Sequence, residues 1–217
     1  MAGRQAHWDH IYGTRSESEL SWYQENPAVS LELIRAAGIP KGAAIVDIGG
    51  GASGLVYALL AEGFWDLTVL DIAAKGLAAA KSRLGPKAAK VTWICADVTA
   101  WEPARIYDLW HDRAAFHFLT GAAERNAYAA RIKQALRPGG HVVIGTFAPD
   151  GPERCSGLPV MRHDAASIGT VLGGDFAPIE SRRHDHVTPV SRTQHFQFSV
   201  FRRNSLDAIP SSGLKPN

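Results

Sequence analysis

Short apolar segments alternate with longer amphipathic segments over most of this 217-residue chain. The apolar runs predict strands near residues 44–48, 67–71, 91–95, 106–111 and 141–147. Between them, apolar residues spaced three or four apart predict helices near residues 54–62, 73–83, 122–137 and 164–172. This alternation is typical of a parallel sheet that is covered by helices on both faces.

The pattern changes after the last of these helices. Residues 176–183 and 194–201 are two further apolar segments, and no helical segment separates them. We therefore expect two antiparallel neighbouring strands. In the second segment Phe196, Phe198 and Val200 alternate with polar residues, which predicts that one face of this strand is buried.

Composition divides the chain into three parts. Residues 1–39 are rich in aromatic and polar side chains, and Trp8 and Tyr12 share one face at helical spacing, so we expect an N-terminal helical cap segment. The alternating strands and helices lie in a domain at residues 40–203. Residues 204–217 are rich in Pro, Ser and Gly and are predicted to form a disordered tail.

The overall composition is that of an ordinary globular protein, with 46% hydrophobic and 20% charged residues. A net charge of only +2 gives no strong electrostatic case for nucleic acid or a membrane surface as a partner. No apolar run approaches the roughly 20 residues that span a bilayer. Cys95 and Cys155 are too few for a disulfide framework, so we expect a cytoplasmic protein.

A glycine-rich turn follows the first predicted strand. The strand carries Asp47 near its end and opens into Gly49-Gly50-Gly51-Ala52-Ser53-Gly54, after which a helix begins. A strand, a glycine turn and a helix N-terminus together suit a bound nucleotide-like ligand. We expect Ser53 at the helix N-terminus, where its hydroxyl can cap a free N–H.

Two further acids follow predicted strands. Asp71 ends the second strand, 20 residues after Gly51, and a carboxylate there can accept hydrogen bonds from both hydroxyls of a ribose. This spacing alone allows a nicotinamide cofactor equally. Asp97 follows the third strand, and the alternative to ligand contact is that it starts the next turn as an Asx residue. Asp47 can support the glycine turn by accepting backbone N–H bonds.

Together these motifs resemble the class I S-adenosylmethionine-dependent methyltransferases. Asp47, Gly49 and Gly51 follow the family's pattern of an acid and alternating glycines, with Ser53 where the third glycine is expected. Asp71, Asp97, the strand segment 107–112, the loop 136–140 and the closing pair of strands come in the family's order.

The resemblance implies a fold, a cofactor and a set of contacts. The fold is α/β, a doubly wound seven-stranded sheet of strand order 3-2-1-4-5-7-6 with strand 7 antiparallel and helices on both faces. The cofactor is S-adenosyl-L-methionine, and S-adenosyl-L-homocysteine is the product. The implied cofactor-binding residues are Asp47, Gly49, Gly50, Gly51, Ser53, Asp71, Ile72, Ala96, Asp97, Val98, His111 and Trp22.

The segment after the fourth strand carries the candidates for chemistry, because residues just past the carboxyl ends of strands border the ligand crevice. We predict His111, Asp112 and His117 as catalytic residues that orient or deprotonate the acceptor. The alternatives are that His117 packs against the sheet and that Asp112 pairs with Arg113. The predicted substrate-binding residues are Trp22, Tyr23, Arg113, Phe116 and Phe147.

The acceptor stays open between a protein lysine and a small molecule with a thiol, oxygen or nitrogen nucleophile. The start Trp8-Asp9-His10-Ile11-Tyr12 is similar to small lysine methyltransferases, but Arg113 departs from their acidic motif after strand four. Cys155 is a candidate thiol for chemistry or plain packing. We expect no metal site, since His184 and His186 have no third ligand at a diagnostic spacing. An NAD-binding oxidoreductase and a non-catalytic cofactor-binding module are the rival functions.

Overall fold

The computed structural model describes residues 2–205, so residues 206–217 of the predicted tail lie outside the described part. Six α-helices and nine strands alternate along it. In chain order they are α1 (Ala2–Thr14), α2 (Ala28–Ala36), β1 (Ile45–Ile48), α3 (Leu55–Ala61), β2 (Leu67–Asp71), α4 (Ala74–Leu84), β3 (Val91–Cys95), β4 (Tyr107–Arg113), α5 (Ala122–Ala135), β5 (Leu136–Phe147), β6 (Arg154–Cys155), β7 (Leu158–Pro159), α6 (Ala165–Leu172), β8 (Phe176–Val187) and β9 (Thr193–Arg203).

Seven of the strands form one sheet in the order β3-β2-β1-β4-β5-β9-β8. β9 runs antiparallel to both β5 and β8, while β1 to β5 pair in parallel. β6 and β7 form a separate small hairpin, so β8 and β9 are the sixth and seventh strands of the main sheet. The predicted order 3-2-1-4-5-7-6 with an antiparallel seventh strand is confirmed.

Helices cover both faces of this sheet, and each face has its own apolar cluster. β4 contributes to both, because successive side chains of a strand point to opposite faces. Leu109 packs with apolar residues of α2, α3 and α4, whereas Trp110 packs with those of α5 and α6. The same alternation places His111 and Arg113 on the Leu109 face and Asp112 on the Trp110 face.

The N-terminal helix α1 packs across the edge of the sheet where β1 and β2 end. Trp8 and Ile11 are buried there with Leu20, Ala52 and Ala73. Arg4 forms an ion pair with Glu124. Asp9 Oδ1 accepts the backbone N–H of Lys75 at the start of α4, at 3.0 Å. α1 therefore contacts both α4 and α5, which cover opposite faces of the sheet.

Three boundaries differ from the sequence-based expectation. α5 ends at Ala135, and the predicted loop 136–140 is the first part of β5, because Leu136 pairs with Tyr107 before the register shifts. β8 and β9 are longer than predicted. The segment after β5, for which no strand is predicted, contains the β6–β7 hairpin, which turns at Ser156 and Gly157 with φ of 49° and 80°.

Candidate functional site

A cleft of about 720 Å³, counted with its open mouth, lies where β1 to β4 end. We call it the main cleft. Its floor comes from the carboxyl ends of the strands, and its cover comes from α1 and the segment around Trp22. The floor residues are Ile48, Gly49, Leu70, Asp71, Ile72, Ala96, Asp97, Val98, Arg113, Ala114 and Ala115.

Both carboxylate oxygens of Asp71 accept backbone hydrogen bonds at the edge of the main cleft. Its Oδ2 accepts the Gly51 N–H at 2.9 Å, and its Oδ1 accepts the Ala73 N–H at 2.7 Å. The side chain is almost fully buried, and burial raises the pKa of Asp71 to about 6. Each oxygen of a carboxylate has lone pairs for more than one donor, so Asp71 can accept further hydrogen bonds from a ligand.

Neighbouring residues pack so closely against the backbone of the glycine turn that they leave no room for side chains there. Gly49 has φ of +69° and donates its N–H to Leu70 O at 2.7 Å. A Cβ at Gly49 would lie 2.7 Å from the Cβ of Ala115, and one at Gly51 would lie 2.7 Å from Asp71 Oδ2. Glycine is therefore required at both positions. Ser53 lies one residue before the cap of α3, Gly54, and its Oγ accepts the Leu55 N–H at 3.0 Å.

Asp97 both starts a turn and lines the main cleft, so the two interpretations of this residue are compatible. Its Oδ1 accepts the backbone N–H of Thr99 at 2.9 Å and the Thr99 hydroxyl at 2.7 Å, which is an Asx turn. Asp97 also lines the main cleft together with its neighbours Ala96 and Val98. Arg4 Nη1 lies 3.9 Å from Asp97 Oδ2, so α1 reaches this end of the cleft.

A second, smaller cleft of about 470 Å³ lies beside the glycine turn, and we call it the side cleft. His111 and Asp47 form a buried pair in its wall, with His111 Nδ1 at 2.7 Å from Asp47 Oδ1. His111 Nε2 lies 2.9 Å from Ser30 Oγ in α2. The other oxygen, Asp47 Oδ2, is buried and has no hydrogen-bond partner among residues 2–205. An unpartnered buried carboxylate oxygen needs a donor, and the side cleft offers room for one.

Arg113 lines both clefts and divides them. Its Nη1 donates to the backbone oxygen of Trp22 at 2.8 Å, which anchors the segment that covers the clefts. The guanidinium lies 4.8 Å from the ring centroid of Phe196. Burial lowers the pKa of Arg113 to about 10, so the group is still a cation at neutral pH.

The comparisons with known proteins agree with this geometry. Residues 45–140 match a family model described as a methyltransferase domain. The chain is 34% identical over 105 residues to malonyl-[acyl-carrier protein] O-methyltransferase of Anoxybacillus flavithermus, a match that covers 48% of this chain and 38% of the relative. Residues 45–140 are therefore similar to a methyltransferase domain.

Other methyltransferases extend the likeness. Thiocyanate methyltransferase 1 of Arabidopsis thaliana is 29% identical over 131 residues, which are 58% of this chain and 56% of that protein. The N-methyltransferase NodS of Bradyrhizobium japonicum, solved with S-adenosyl-L-homocysteine, shares the fold at a TM-score of 0.69 and 17% identity, over 90% of this chain and 96% of that chain. The chain spans between 38% and 56% of the length of the two curated relatives.

The methyltransferase fold brings most of the predicted cofactor residues together. The main cleft takes Trp22, Gly49, Asp71, Ile72, Ala96, Asp97 and Val98. The side cleft takes Asp47, Ser53 and His111, and also Tyr23. Gly50 and Gly51 lie in the turn between the clefts and shape it through Asp47 and Asp71.

Asp112 and His117 lie behind the cleft wall. Asp112 is fully buried on the opposite face of β4, where it accepts the Tyr128 hydroxyl at 2.7 Å and the N–H groups of Ala115 and Phe116. Burial raises the pKa of Asp112 to about 6. His117 Nδ1 accepts the Phe147 N–H at 3.3 Å, and burial lowers the pKa of His117 to about 3. These hydrogen bonds fix the backbone that forms the wall of the main cleft. Phe116 and Phe147, predicted as substrate-binding residues, are buried behind the same wall.

Several lining residues were not predicted as site residues. Arg4 and Phe118 line the main cleft, and Ser30 completes the buried pair of the side cleft. Cys155, which the sequence offered as a candidate thiol, also lines the main cleft. Cys155 reaches the cleft because the β6–β7 hairpin folds back over it. The Ser156-Gly157 dipeptide was an available signal, since such dipeptides mark tight turns. Arg4 and Ser30 carry no local signal, because their positions depend on how α1 and α2 pack.

Two absences hold within residues 2–205. No cluster of three or more His, Cys, Asp or Glu side chains is arranged to hold a metal ion there. No helix in the same part of the chain is long and apolar enough to cross a membrane.

Proposed function

We propose that this protein transfers a methyl group from S-adenosyl-L-methionine to a small-molecule acceptor and releases S-adenosyl-L-homocysteine. The observation that carries this proposal is the main cleft itself. It brings together Asp71 at the end of β2, Asp97 after β3 and the turn at Gly49, all inside the segment that matches the methyltransferase domain.

The residues of the two clefts can be assigned to the ribose, the adenine and the methionine end of the cofactor. Asp71 would accept the ribose hydroxyls, with Ile72 beside it, and Ala96, Asp97 and Val98 would surround the adenine. The backbone of the glycine turn can come close to the cofactor because it carries no side chains. The unpartnered Asp47 Oδ2 would accept the amino group of the methionine end. Structural relatives solved with S-adenosyl-L-homocysteine support this assignment.

Once bound, the cofactor supplies a methyl group on a positively charged sulfur. The protein's own contribution would be alignment and exclusion of water, which account for much of the rate of such displacements. Trp22, Tyr23 and Arg113 would form the acceptor side of the site. The segment 1–39 would act as its cover, since α1 and Trp22 lie over the main cleft.

The predicted catalytic residues would then divide into two kinds. His111 lies in the wall of the side cleft and can influence bound groups through Asp47 and Ser30. Asp112 and His117 would act indirectly, by holding the residues that form the wall. Phe116 and Phe147 would support the acceptor side in the same indirect way.

Relatives support a small-molecule acceptor over a protein lysine. The curated relatives are named for malonyl-[acyl-carrier protein] and for thiocyanate, and a solved relative from Burkholderia thailandensis, at 20% identity, is an N-methyltransferase of 1,6-didemethyltoxoflavin. In addition, Asp112 faces away from the cleft, so it is not placed to hold a lysine ammonium. A cytoplasmic location is part of the same proposal.

Transfer from a methyl-labelled cofactor into a fractionated lysate tests this function. We expect label in the small-molecule fraction, and loss of labelling in the variant Asp71→Ala. Label in the protein fraction would favour a protein acceptor instead. No labelled product, together with no binding of S-adenosyl-L-homocysteine, would contradict the proposal.

A further inference from the structure

We infer, building on the proposed function, that the methyl acceptor is a flat or aromatic small molecule with a carboxylate or similar anion, which is placed toward Arg113. Three observations carry this inference: the state of the Arg113 guanidinium, the charge balance of the main cleft, and the aromatic rings that line it.

The first observation is that the partly buried guanidinium of Arg113 forms no ion pair among residues 2–205, although the Asp47 carboxylate attracts it from farther away. Its Nε and Nη2 atoms are shielded from water and have no hydrogen-bond partner among residues 2–205. The polar contact that the group does make, from Nη1 to the Trp22 oxygen, is to a neutral carbonyl. Shielding an unpaired charge from water is unfavourable. An anion that enters the cleft would offset part of this cost.

The second observation is the charge balance along the main cleft. Its two carboxylates, Asp71 and Asp97, lie at the end assigned to the ribose and adenine, and backbone N–H groups already bind both. The opposite end has Arg113 and the thiol of Cys155. Burial raises the pKa of Cys155 to about 11, so this thiol is neutral at pH 7 and does not compensate Arg113.

A positively charged acceptor would therefore meet two cations. One is Arg113, and the other is the sulfonium of the proposed cofactor. An acid that held a lysine ammonium would have to lie beside them. Asp112 is on the other face of β4 and is already bound by Tyr128, and the free oxygen of Asp47 is assigned to the amino group of the cofactor. A negatively charged acceptor instead lies between two cations, which is favourable in a poorly hydrated cleft.

The third observation concerns the shape and polarity of the cleft wall. Trp8, Tyr12, Trp22 and Phe118 line the main cleft together with Arg113. The Trp8 ring centroid lies 4.9 Å from that of Phe118 and 5.5 Å from that of Trp22, both in edge-on geometry. Rings arranged in this way suit a flat apolar body. The combination of rings and one guanidinium selects an acceptor with an apolar ring and one anionic group.

A matched set of ligands tests this charge selection. Phenylacetate, phenylacetamide and phenethylamine share one ring and differ in the charge of the side chain. Binding of each is measured by ligand-observed NMR titration, to the protein alone and to the protein saturated with S-adenosyl-L-homocysteine. We expect the carboxylate to bind at least about tenfold more tightly than the amide, and the amine to bind most weakly. Equal binding of all three, or a preference for the amine, would overturn the inference.

Variants of Arg113 show whether this residue causes the preference. Arg113→Met should remove the preference for the carboxylate, and Arg113→Lys should keep part of it. His186→Phe is the matched control, because His186 Nε2 donates to the Ser21 oxygen at 2.8 Å and so anchors the same covering segment. The control should keep the full preference. A preference that persists in Arg113→Met, or is lost in the control, would overturn the assignment.

The cofactor's own carboxylate is the competing partner of Arg113. Comparing S-adenosyl-L-homocysteine with 5′-methylthioadenosine, which lacks the amino-acid part, separates the two. We expect Arg113→Met to change the affinities for both by the same factor. A selective loss of S-adenosyl-L-homocysteine binding would assign Arg113 to the cofactor and overturn the inference. Failure of the wild-type protein to bind S-adenosyl-L-homocysteine would contradict the proposed function instead, while the ligand set is still measured on the protein alone.

Discussion

Asp71 Oδ2 lies 2.9 Å from the amide nitrogen of Gly51, so the acid that ends β2 holds the glycine turn that follows β1. The second oxygen holds the start of α4 through the Ala73 N–H. One carboxylate therefore fixes two backbone segments at the edge of the main cleft. A ligand that binds Asp71 meets a preformed site, which lowers the cost of ordering on binding.

The affinity for S-adenosyl-L-homocysteine should depend on pH through Asp71. Burial raises the pKa of Asp71 to about 6 in the free protein. Ribose hydroxyls donate hydrogen bonds, so they bind the ionised carboxylate better and binding lowers its pKa. The affinity should therefore fall as the pH falls below about 6, by up to about tenfold per pH unit. Calorimetric titrations between pH 5 and pH 8 measure this dependence.

Asp71→Asn is the control for that pH dependence. It should weaken binding at pH 8 by about 1–3 kcal/mol, because an uncharged amide oxygen is a poorer acceptor. It should also flatten the pH profile between pH 5 and pH 8. A steep profile that survives in Asp71→Asn would assign the titration to another group.

Gly51→Ala should damage cofactor binding more than overall folding. The added Cβ would lie 2.7 Å from Asp71 Oδ2 and 3.2 Å from the backbone carbon of Gly76, so the turn must shift. We expect a loss of at least about tenfold in affinity, since such shifts cost about 1–3 kcal/mol. Gly174→Ala is the matched control, because nothing lies within 4 Å of its added Cβ. Equal affinities of the two variants would show that this close approach is unimportant.

Asp112→Asn should lower stability and leave cofactor affinity within about twofold. The asparagine oxygen can still accept the N–H groups of Ala115 and Phe116, but its amide cannot accept from the Tyr128 hydroxyl as the carboxylate does. The loss should be about 1–3 kcal/mol in urea unfolding. An unchanged unfolding free energy with abolished methyl transfer would instead indicate a direct catalytic role for Asp112.

The same variant tests the sign of a pH effect on stability. The folded-state pKa of Asp112, about 6, is above the unfolded value. Between pH 4 and pH 6 the folded protein therefore binds more protons than the unfolded chain, and the contribution of Asp112 to stability falls as the pH rises. The wild-type unfolding free energy should decrease relative to that of Asp112→Asn over this interval. A difference that grows in the opposite direction would contradict the assignment.

Trp8→Ala should loosen α1 and expose the main cleft. Trp8 is buried against Phe118 and Trp22, and removing a buried tryptophan costs about 3–5 kcal/mol. We expect faster proteolytic cleavage within residues 2–27 and weaker binding of S-adenosyl-L-homocysteine. Trp65→Ala is the control, since Trp65 is 65% exposed. Similar cleavage rates for the two variants would show that α1 is not held by Trp8.

Much of the lining of the main cleft could be predicted from the sequence because its signals are local. Asp71 ends an apolar strand at a fixed spacing from Gly51, and the glycine turn lies directly between a strand and a helix. In a parallel sheet the carboxyl ends of neighbouring strands meet at one edge, so residues far apart in sequence come together. The strand order of the sheet was implied by the resemblance to the class I methyltransferases and not by a local pattern.

The acceptor side was harder to predict, and β4 shows why. His111, Asp112 and Arg113 are consecutive in the sequence, so they were predicted to share one site. In a strand, however, successive side chains point to opposite faces of the sheet, which separates Asp112 from its two neighbours. That alternation was visible in principle, since Leu109 and Trp110 already belong to opposite faces. The positions of Ser30 and Arg4 depend on helix packing over long sequence separations, which no local pattern encodes.

A calorimetric titration of the wild-type protein with S-adenosyl-L-homocysteine and, separately, with NAD⁺ tests the central claim most directly. We predict micromolar binding of S-adenosyl-L-homocysteine, at one site per chain, and no binding of NAD⁺. Binding of NAD⁺ without binding of S-adenosyl-L-homocysteine would contradict the assignment of this cleft to a methyl donor.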